Sequence, residues 1–199
     1  MIRKEIISKS QNFIGCWNID NKNLFLNIID FFENNEQLQI KGARTSSSNN
    51  IIKKTTDITI YPNDLKKESF FIFNEYFDEL YKCYNDYRSQ WPFLKNNIKK
   101  LDISAFNVQR YNPGDHFSEI HCERDIPKNM HRVFAWMTYL NDIKSENGKT
   151  HFSHYDIKIQ PEIGKTLIWP AEWTHAHAGE ILKVETKYII TGWLCFPIN

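Results

Sequence analysis

Four residues in two short segments have the types and spacing of metal ligands. His121 and Glu123 are two residues apart in the segment EIHCERD, and His175 and His177 are two residues apart in WTHAHAG. Residues two apart in a β-strand project from the same face, so each pair can direct its side chains at one point. Two imidazoles and a carboxylate on one face of an octahedron suit Fe(II), because three positions stay open for a cosubstrate and O₂. The spacing therefore predicts an iron centre made by His121, Glu123 and a histidine of the second pair.

Each pair considered alone also has an ordinary structural explanation. A histidine beside an acid in a strand is common as a surface or hydrogen-bonded pair. Asp125 follows the first acid by two residues and competes with it as ligand, and His175 competes with His177 in the same way. The order of the features favours one site. The first pair is followed by a turn at Gly148, a strand, the second pair and then Lys187, ten residues after His177.

An ordered series of motifs runs from Arg110 to Phe196. It consists of Tyr111-x-x-Gly114-x-x-Phe117, His121-x-Glu123, Arg132 leading to Tyr139-Leu140-Asn141-Asp142, Gly148-x-Thr150-x-Phe152, and His177-x-Gly179 with Lys187 and Trp193 after it. In this order the motifs resemble the 2-oxoglutarate and Fe(II)-dependent dioxygenases, specifically the prolyl 4-hydroxylase-like branch with its compact microbial and phage members. The resemblance covers somewhat under half of the chain.

The resemblance implies both a site and a reaction. Its implied iron ligands are His121, Glu123 and His177. Its implied 2-oxoglutarate-binding residues are Lys187, Thr150 and Tyr111, and Lys187 is the residue that pairs with the distal carboxylate. The implied reaction hydroxylates a C–H bond of a prolyl or other peptidyl or amino-acid substrate, or of a small molecule. It consumes O₂ and 2-oxoglutarate and releases succinate and CO₂, with ascorbate as a candidate reductant. A buried cation suits such a pocket, because an unpaired carboxylate inside a barrel is strongly destabilised.

Two departures from the family pattern and two alternative functions accompany this interpretation. The acid is Glu123, where Asp is commoner, and the spacing from Tyr111 to His121 is one residue longer than usual, as a bulge would produce. A cupin-like isomerase or binding module with a non-redox metal would keep the histidines and the acid but would not use Lys187. A nucleic-acid base demethylase on the same barrel would need a basic groove, which the charge balance does not indicate.

The elements that must position these residues fall into two halves. From Leu101 onward, eight short runs rich in β-branched and aromatic residues are separated by turn signals, as in KTLIWP and TKYIITGWLCF. Without helical crossovers, eight such strands predict a mainly β fold of the α+β class. This fold is a jelly roll, or double-stranded β-helix, flanked by N-terminal helices. We expect residues 1–199 to form a single domain, with a helical support layer and edge strands over 1–100 and the catalytic core over 101–199.

Two amphipathic helices are predicted in the first half. One follows Asp20 and Asn21 as candidate caps and runs through LFLNIIDFFENNEQL to Leu38. A second begins near Asn63 and continues to Ser89, with apolar residues three and four apart, and Pro92 is expected to close it. The polar segment 41–57 between them is predicted to be a loop without an element of its own.

Composition excludes several classes of protein. Lys and Arg number 25 against 24 Asp and Glu, so no overall field recruits nucleic acid or an anionic membrane. No apolar run approaches the roughly 20 residues of a membrane-spanning helix. The four cysteines are far apart and form no Cys-x-x-Cys pair, which favours reduced thiols in a cytoplasmic protein. The sequence does not indicate an oligomeric state.

Overall fold

The computed structural model of the protein describes residues 1–8, 11–45, 51–98 and 100–197. Its α-helices are α1 (Lys22–Glu33), α2 (Phe71–Ser89) and α3 (Pro92–Asn97). Its strands are β1 (Ile2–Lys4), β2 (Gly15–Asn18), β3 (Ile40–Lys41), β4 (Arg44–Thr45), β5 (Ile51–Lys54), β6 (Thr56–Ile60), β7 (Asp102–Ile103), β8 (Phe106–Tyr111), β9 (His116–His121), β10 (Arg132–Tyr139), β11 (Thr150–Phe152), β12 (Ile157–Ile159), β13 (Lys165–Pro170), β14 (His177–Gly179) and β15 (Lys187–Cys195).

Two antiparallel sheets form the predicted jelly roll. The larger sheet has the strand order β1-β2-β13-β10-β15-β8-β6-β3, with β7 beside β15, and the smaller has the order β12-β11-β14-β9-β5-β4. Strands distant in sequence are neighbours in both sheets. In the smaller sheet β14 pairs with β9, and the register sets His177 opposite His121. The fold class predicted from the sequence is confirmed.

Strand β10 shows how one chain segment serves two cores. Phe134 and Trp136 belong to the core that α1 and α2 cover, whereas Ala135, Met137 and Tyr139 belong to the core between the two sheets. Because side chains alternate along a strand, a continuous apolar run can be buried on both faces. The helices therefore support the back of the larger sheet, and its front faces the smaller sheet.

Helices α1 and α2 follow the predicted apolar spacing. The side chain of Asn21 caps α1 by accepting the backbone N–H of Leu24 at 3.3 Å. Helix α1 ends at Glu33 instead of extending to Leu38, which lies in a short 3₁₀ turn and is 39% exposed. Helix α2 begins at Phe71, after two 3₁₀ turns that follow Asn63.

The prediction of a structureless loop over 41–57 is wrong for its described part, since β4, β5 and the start of β6 lie there. Residues 46–50 of that segment lie outside the described residues. The segment can be polar and still form strands because two of its charges neutralise each other. Lys53 Nζ lies 2.8 Å from Asp57 Oδ2, and the two side chains are only 14% and 7% exposed. An internal ion pair thus lets a polar sequence enter a sheet, which a search for apolar runs misses.

Two further boundaries differ from the predictions. Pro92 starts the short helix α3 instead of only ending α2, because a proline at the first helical position gives up no intrahelical hydrogen bond. The first predicted strand is split into β7 and β8, which pair with different parts of β15, β7 with Leu194 and Cys195 and β8 with residues 187–191. All four cysteines are free thiols, and Cys16, Cys83 and Cys195 are buried.

Candidate active site

The three residues predicted to bind iron lie together at one end of the smaller sheet. His121 is the last residue of β9, His177 is the first of β14, and Glu123 follows β9 by two residues. Glu123 Oε1 lies 3.4 Å from His177 Nε2 and 3.8 Å from His121 Nε2. One ligand atom from each residue lies within 4.8 Å of the other two, so a single ion can contact all three.

Hydrogen bonds orient both imidazoles with Nε2 toward the carboxylate. His121 Nδ1 contacts the carbonyl oxygen of Glu119 at 2.8 Å, and His177 Nδ1 contacts that of His175 at 2.9 Å. A carbonyl can only accept, so each Nδ1 carries a proton, and Nε2 is the nitrogen of each ring that can bind a metal. The ring of Phe117 stacks on His121 with centroids 3.7 Å apart, which fixes the plane of that imidazole.

Glu123 is an ionised carboxylate in this environment. Burial raises the pKa of its carboxyl, but the hydrogen bond and charge of His177, the charge of His121 and the indole N–H of Trp193 outweigh burial and lower the pKa to about 2. Its side chain is 15% exposed. A charged oxygen ligand and two imidazoles are a donor set that suits Fe(II).

Lys187 is a buried cation without a carboxylate partner. Its residue is 3% exposed, Nζ donates to the carbonyl of Gly148 at 2.8 Å, and the ring of Tyr111 lies 4.7 Å from Nζ. Among the described residues no acid lies within ion-pairing distance. Burial lowers the pKa of Lys187 to about 8, against an opposing effect of the Glu180 charge. An anionic group bound in this place would supply the ion-pair partner that the ammonium group lacks among the described residues.

The two hydroxyl groups predicted to bind 2-oxoglutarate have different partners. Thr150 Oγ1 accepts a hydrogen bond from Tyr139 at 2.7 Å, so its own proton remains available to a carboxylate. Tyr111 donates its proton to Gln109 Oε1 at 2.9 Å and would have to leave that partner to donate elsewhere. Burial, together with nearby acidic groups, raises the pKa of Tyr111 well above its usual value, so the phenol is a neutral donor.

The structure separates the two competing ligands from this cluster. Strand β9 ends at His121, so Asp125 does not share its strand face, and Asp125 is exposed with Oδ1 accepting from Asn129. His175 lies in a 3₁₀ turn before β14, and its Nε2 donates to the carbonyl of Asn12 at 2.7 Å. The idea that His175 and His177 share a strand face is therefore wrong.

A cavity of about 120 Å³ joins the cluster to Lys187. Its walls include all six predicted site residues, and further lining residues are Lys53, Asn107, Gln109, Phe117, Met137, Trp169, Gly179, Ile189, Thr191 and Trp193. Sequence reasoning missed Lys53, which lies on β5 beside β9, and Asn107 and Gln109, which lie on β8 of the larger sheet. The sequence signal for Asn107 and Gln109 is the alternation along FNVQRY, which sets both of them and Tyr111 on one face.

Residues 106–195 match the family model of the 2OG-Fe(II) oxygenase superfamily. These residues form a 2OG-Fe(II) oxygenase domain. The matched region contains the whole His-Glu-His cluster and Lys187, and the oxygenase domain uses Fe(II), 2-oxoglutarate and O₂. The recognition of this superfamily from the motifs is thereby confirmed. Among curated proteins, none matches the chain significantly by sequence.

Solved structures with the same fold as this oxygenase include three prolyl hydroxylases. A Pseudomonas putida prolyl-4-hydroxylase has a TM-score of 0.67 at 13% identity, with 94% of this chain and 95% of that chain covered. A Trichoplax adhaerens prolyl hydroxylase, in complex with a hypoxia inducible factor peptide fragment, has 0.66 at 14%, with 93% and 84% covered. The viral collagen prolyl hydroxylase of Paramecium Bursaria Chlorella virus-1, in complex with 2-oxoglutarate, has 0.63 at 15%, with 90% and 94% covered.

The cavity of the oxygenase domain also has the right size for the cosubstrate. A water-sized group needs about 10–15 Å³ of such space, so the cavity accommodates roughly 8–12 groups, and 2-oxoglutarate has ten non-hydrogen atoms. The donor set at one end fits Fe(II), and the unpaired ammonium at the other fits a dicarboxylate.

None of the described helices is long and apolar enough to cross a membrane.

Proposed function

We propose that the protein is a hydroxylase that inserts oxygen into a C–H bond of a peptidyl or amino-acid substrate, with His121, Glu123 and His177 as iron ligands. One observation carries the proposal: the three ligand atoms and a buried, unpaired Lys187 line the same cavity. Fe(II) bound there supplies O₂ activation, coupled to decarboxylation of 2-oxoglutarate to succinate and CO₂. The protein's own groups bind the distal carboxylate of the cosubstrate and exclude water.

Each implied role has a physical basis in the side chains. The lone pairs of both Nε2 atoms and the charged Glu123 carboxylate supply three donors on one side of an ion. Lys187 supplies the positive charge for the distal carboxylate, and Thr150 supplies a hydrogen-bond donor beside it. Because all of these groups except Glu123 lie on β9, β11, β14 and β15, their spacing is fixed before any ligand binds.

The size of the cavity favours a substrate that enters from outside. Since 2-oxoglutarate alone takes up much of this space, we infer that the reacting group of the substrate approaches from the open side of the cavity. A side chain presented at the rim does fit, and the rim includes the half-buried Trp193 and the polar Asn107 and Thr191. The peptide bound to the Trichoplax enzyme is an example of such a substrate in a protein of the same fold.

The other functions considered are less well supported. A cupin-like isomerase or binding module with a non-redox metal leaves the buried ammonium of Lys187 without a purpose, whereas a 2-oxoglutarate-dependent enzyme uses it. The near-neutral charge of the chain still gives no support to a nucleic-acid substrate.

The test uses purified protein with Fe(II), 2-oxoglutarate, ascorbate and a library of proline-containing and other peptides. We expect succinate above the background of the His121→Ala variant, and at least one peptide that gains the mass of one oxygen atom. A matched pair of variants identifies the acid: Glu123→Ala should abolish iron binding, and Asp125→Ala should leave it within threefold of wild type. Iron-loaded wild-type protein that forms no succinate above background would contradict the proposal.

A further inference from the structure

Glu123 lies where the backbone receives no support from a strand. Strand β9 ends two residues earlier, and two other bonds anchor the residue instead. Its N–H donates to the carbonyl of Ala171 at 3.2 Å, and its carbonyl accepts from Arg132 Nη1 at 3.0 Å. A glutamate side chain has one more rotatable bond than an aspartate, so more conformational freedom must be lost before it can act as a ligand.

The two carboxylate oxygens of Glu123 face different partners. Oε1 is the atom that lies near Nε2 of His121 and of His177. Oε2 accepts the indole N–H of Trp193 at 2.7 Å, the distance of a charge-assisted hydrogen bond. The indole therefore occupies one oxygen and leaves the other directed at the two imidazoles.

A β-bulge brings a third residue onto Trp193. Ala135 is opposite Trp193 in the β10–β15 pair, and by strict alternation Arg132, three residues away, would face the other side of the sheet. The register shifts between Arg132 and Phe134, and the extra residue reverses the phase. The guanidinium of Arg132 thus lies 3.6 Å from the centroid of the Trp193 ring, a stacking contact.

We propose that Trp193 is a positioning residue that makes the longer acid Glu123 a one-oxygen metal ligand. The indole N–H holds Oε2, and Arg132 holds both the indole face and the Glu123 backbone. This inference rests on the proposed iron-binding function, and it explains how glutamate serves at a position where the family more commonly has aspartate. Trp193 itself does not contact the metal in this arrangement.

Metal affinity measures this role without turnover. We expect Trp193→Phe, which keeps an aromatic ring beneath Arg132 but lacks the N–H, to weaken Fe(II) and Co(II) binding about 10- to 100-fold in anaerobic titrations. The matched control is Trp136→Phe. Trp136 pairs with Gly192 next to Trp193, is fully buried, and its N–H has no hydrogen-bond partner among the described residues. This control should bind metal within threefold of wild type.

A double variant separates positioning from a general effect on stability. In a Glu123→Asp background the shorter carboxylate cannot reach the indole and the metal together, so adding Trp193→Phe should change metal affinity less than threefold. In metal-free protein the indole N–H proton of Trp193 should exchange slowly with water, and Glu123→Ala should make that exchange faster. This second measurement does not depend on any metal.

The possible outcomes distinguish a failure of the positioning role from a failure of the proposed function. Metal binding by Trp193→Phe within threefold of wild type, or an equal loss in the Trp136→Phe control, would overturn the positioning role. A Trp193→Phe effect as large in the Glu123→Asp background as in wild type would also overturn it. Wild-type protein that binds neither Fe(II) nor Co(II) while the indole proton stays protected by Glu123 would overturn the proposed function instead.

Discussion

Replacing Lys187 by methionine tests whether Lys187 is a buried, unpaired cation that destabilises the ligand-free fold and binds an anionic ligand. The ammonium group is 3% exposed and, among the described residues, donates one hydrogen bond to the Gly148 carbonyl at 2.8 Å and forms no ion pair. Burial lowers its pKa to about 8 from the usual 10.5. The fold without ligand is therefore destabilised whenever this lysine carries its proton.

The magnitude follows from proton linkage. Between pH 8 and 10.5 the unfolded chain holds a proton on Lys187 that the folded chain has released, so the stability of the wild type rises with pH in that window. From pH 7 to pH 10 the two pKa values give a gain of about 2–3 kcal/mol in the free energy of unfolding. Methionine has no such proton. Loss of the donor to Gly148 costs the variant about 1–3 kcal/mol at every pH, so only the pH-dependent difference is diagnostic.

The assay is urea denaturation of metal-free and 2-oxoglutarate-free protein at pH 7 and pH 10. Relative to Lys187→Met, the wild type should gain about 2–3 kcal/mol between the two pH values. The control Lys183→Met, at an exposed lysine, should change in parallel with the wild type. At pH 7, adding 2-oxoglutarate to protein already saturated with metal should stabilise the wild type further and should not stabilise Lys187→Met further. A wild type and a Lys187→Met variant with the same pH dependence would refute the assignment of an unpaired buried cation.

Three other substitutions test the scaffold and the pocket. Asp57→Asn removes the partner of buried Lys53 and should destabilise the fold by about 3–5 kcal/mol in urea, against less than about 1 for Asp64→Asn at the surface; equal effects would contradict a buried pair. Gly192→Ala places a Cβ 2.6 Å from the Trp136 ring and should lower stability by about 1–3 kcal/mol, so an unchanged melting temperature would be inconsistent with this packing. Thr150→Val removes a donor from the cavity and should weaken 2-oxoglutarate binding about 10-fold at unchanged metal affinity; unchanged affinity for both would place Thr150 outside the site.

Local sequence patterns were sufficient to predict the parts of the fold in which buried side chains recur with the period of a helix or a strand. The strands of the second half could be predicted because their apolar runs are bounded by turns, and α1 because Asn21 caps a regular apolar stripe. Strand β5 was missed because its buried lysine is neutralised by Asp57, four residues away. A pair of that kind is recognisable only when both positions are known to be buried.

The candidate site also has features that could be predicted from the sequence and features that could not. His121, Glu123, His177 and Lys187 could be selected because their order in the chain matches one family, and the pairing of β9 with β14 then brings the histidines together. The exclusion of Asp125 could not be predicted, since it depends on β9 ending at His121. The contact of Arg132 with Trp193 depends on a bulge, and single-sequence periodicity does not reveal where a strand gains a residue.

The most direct measurement is anaerobic calorimetry of Fe(II) and 2-oxoglutarate binding to the wild type and to matched variants. The account predicts that 2-oxoglutarate binds tightly only after Fe(II), that His177→Ala loses Fe(II) affinity at least 100-fold, and that Lys187→Met binds Fe(II) normally but 2-oxoglutarate weakly. Tight 2-oxoglutarate binding by Lys187→Met, or undiminished Fe(II) binding by His177→Ala, would contradict the claim that these residues form one iron and 2-oxoglutarate site.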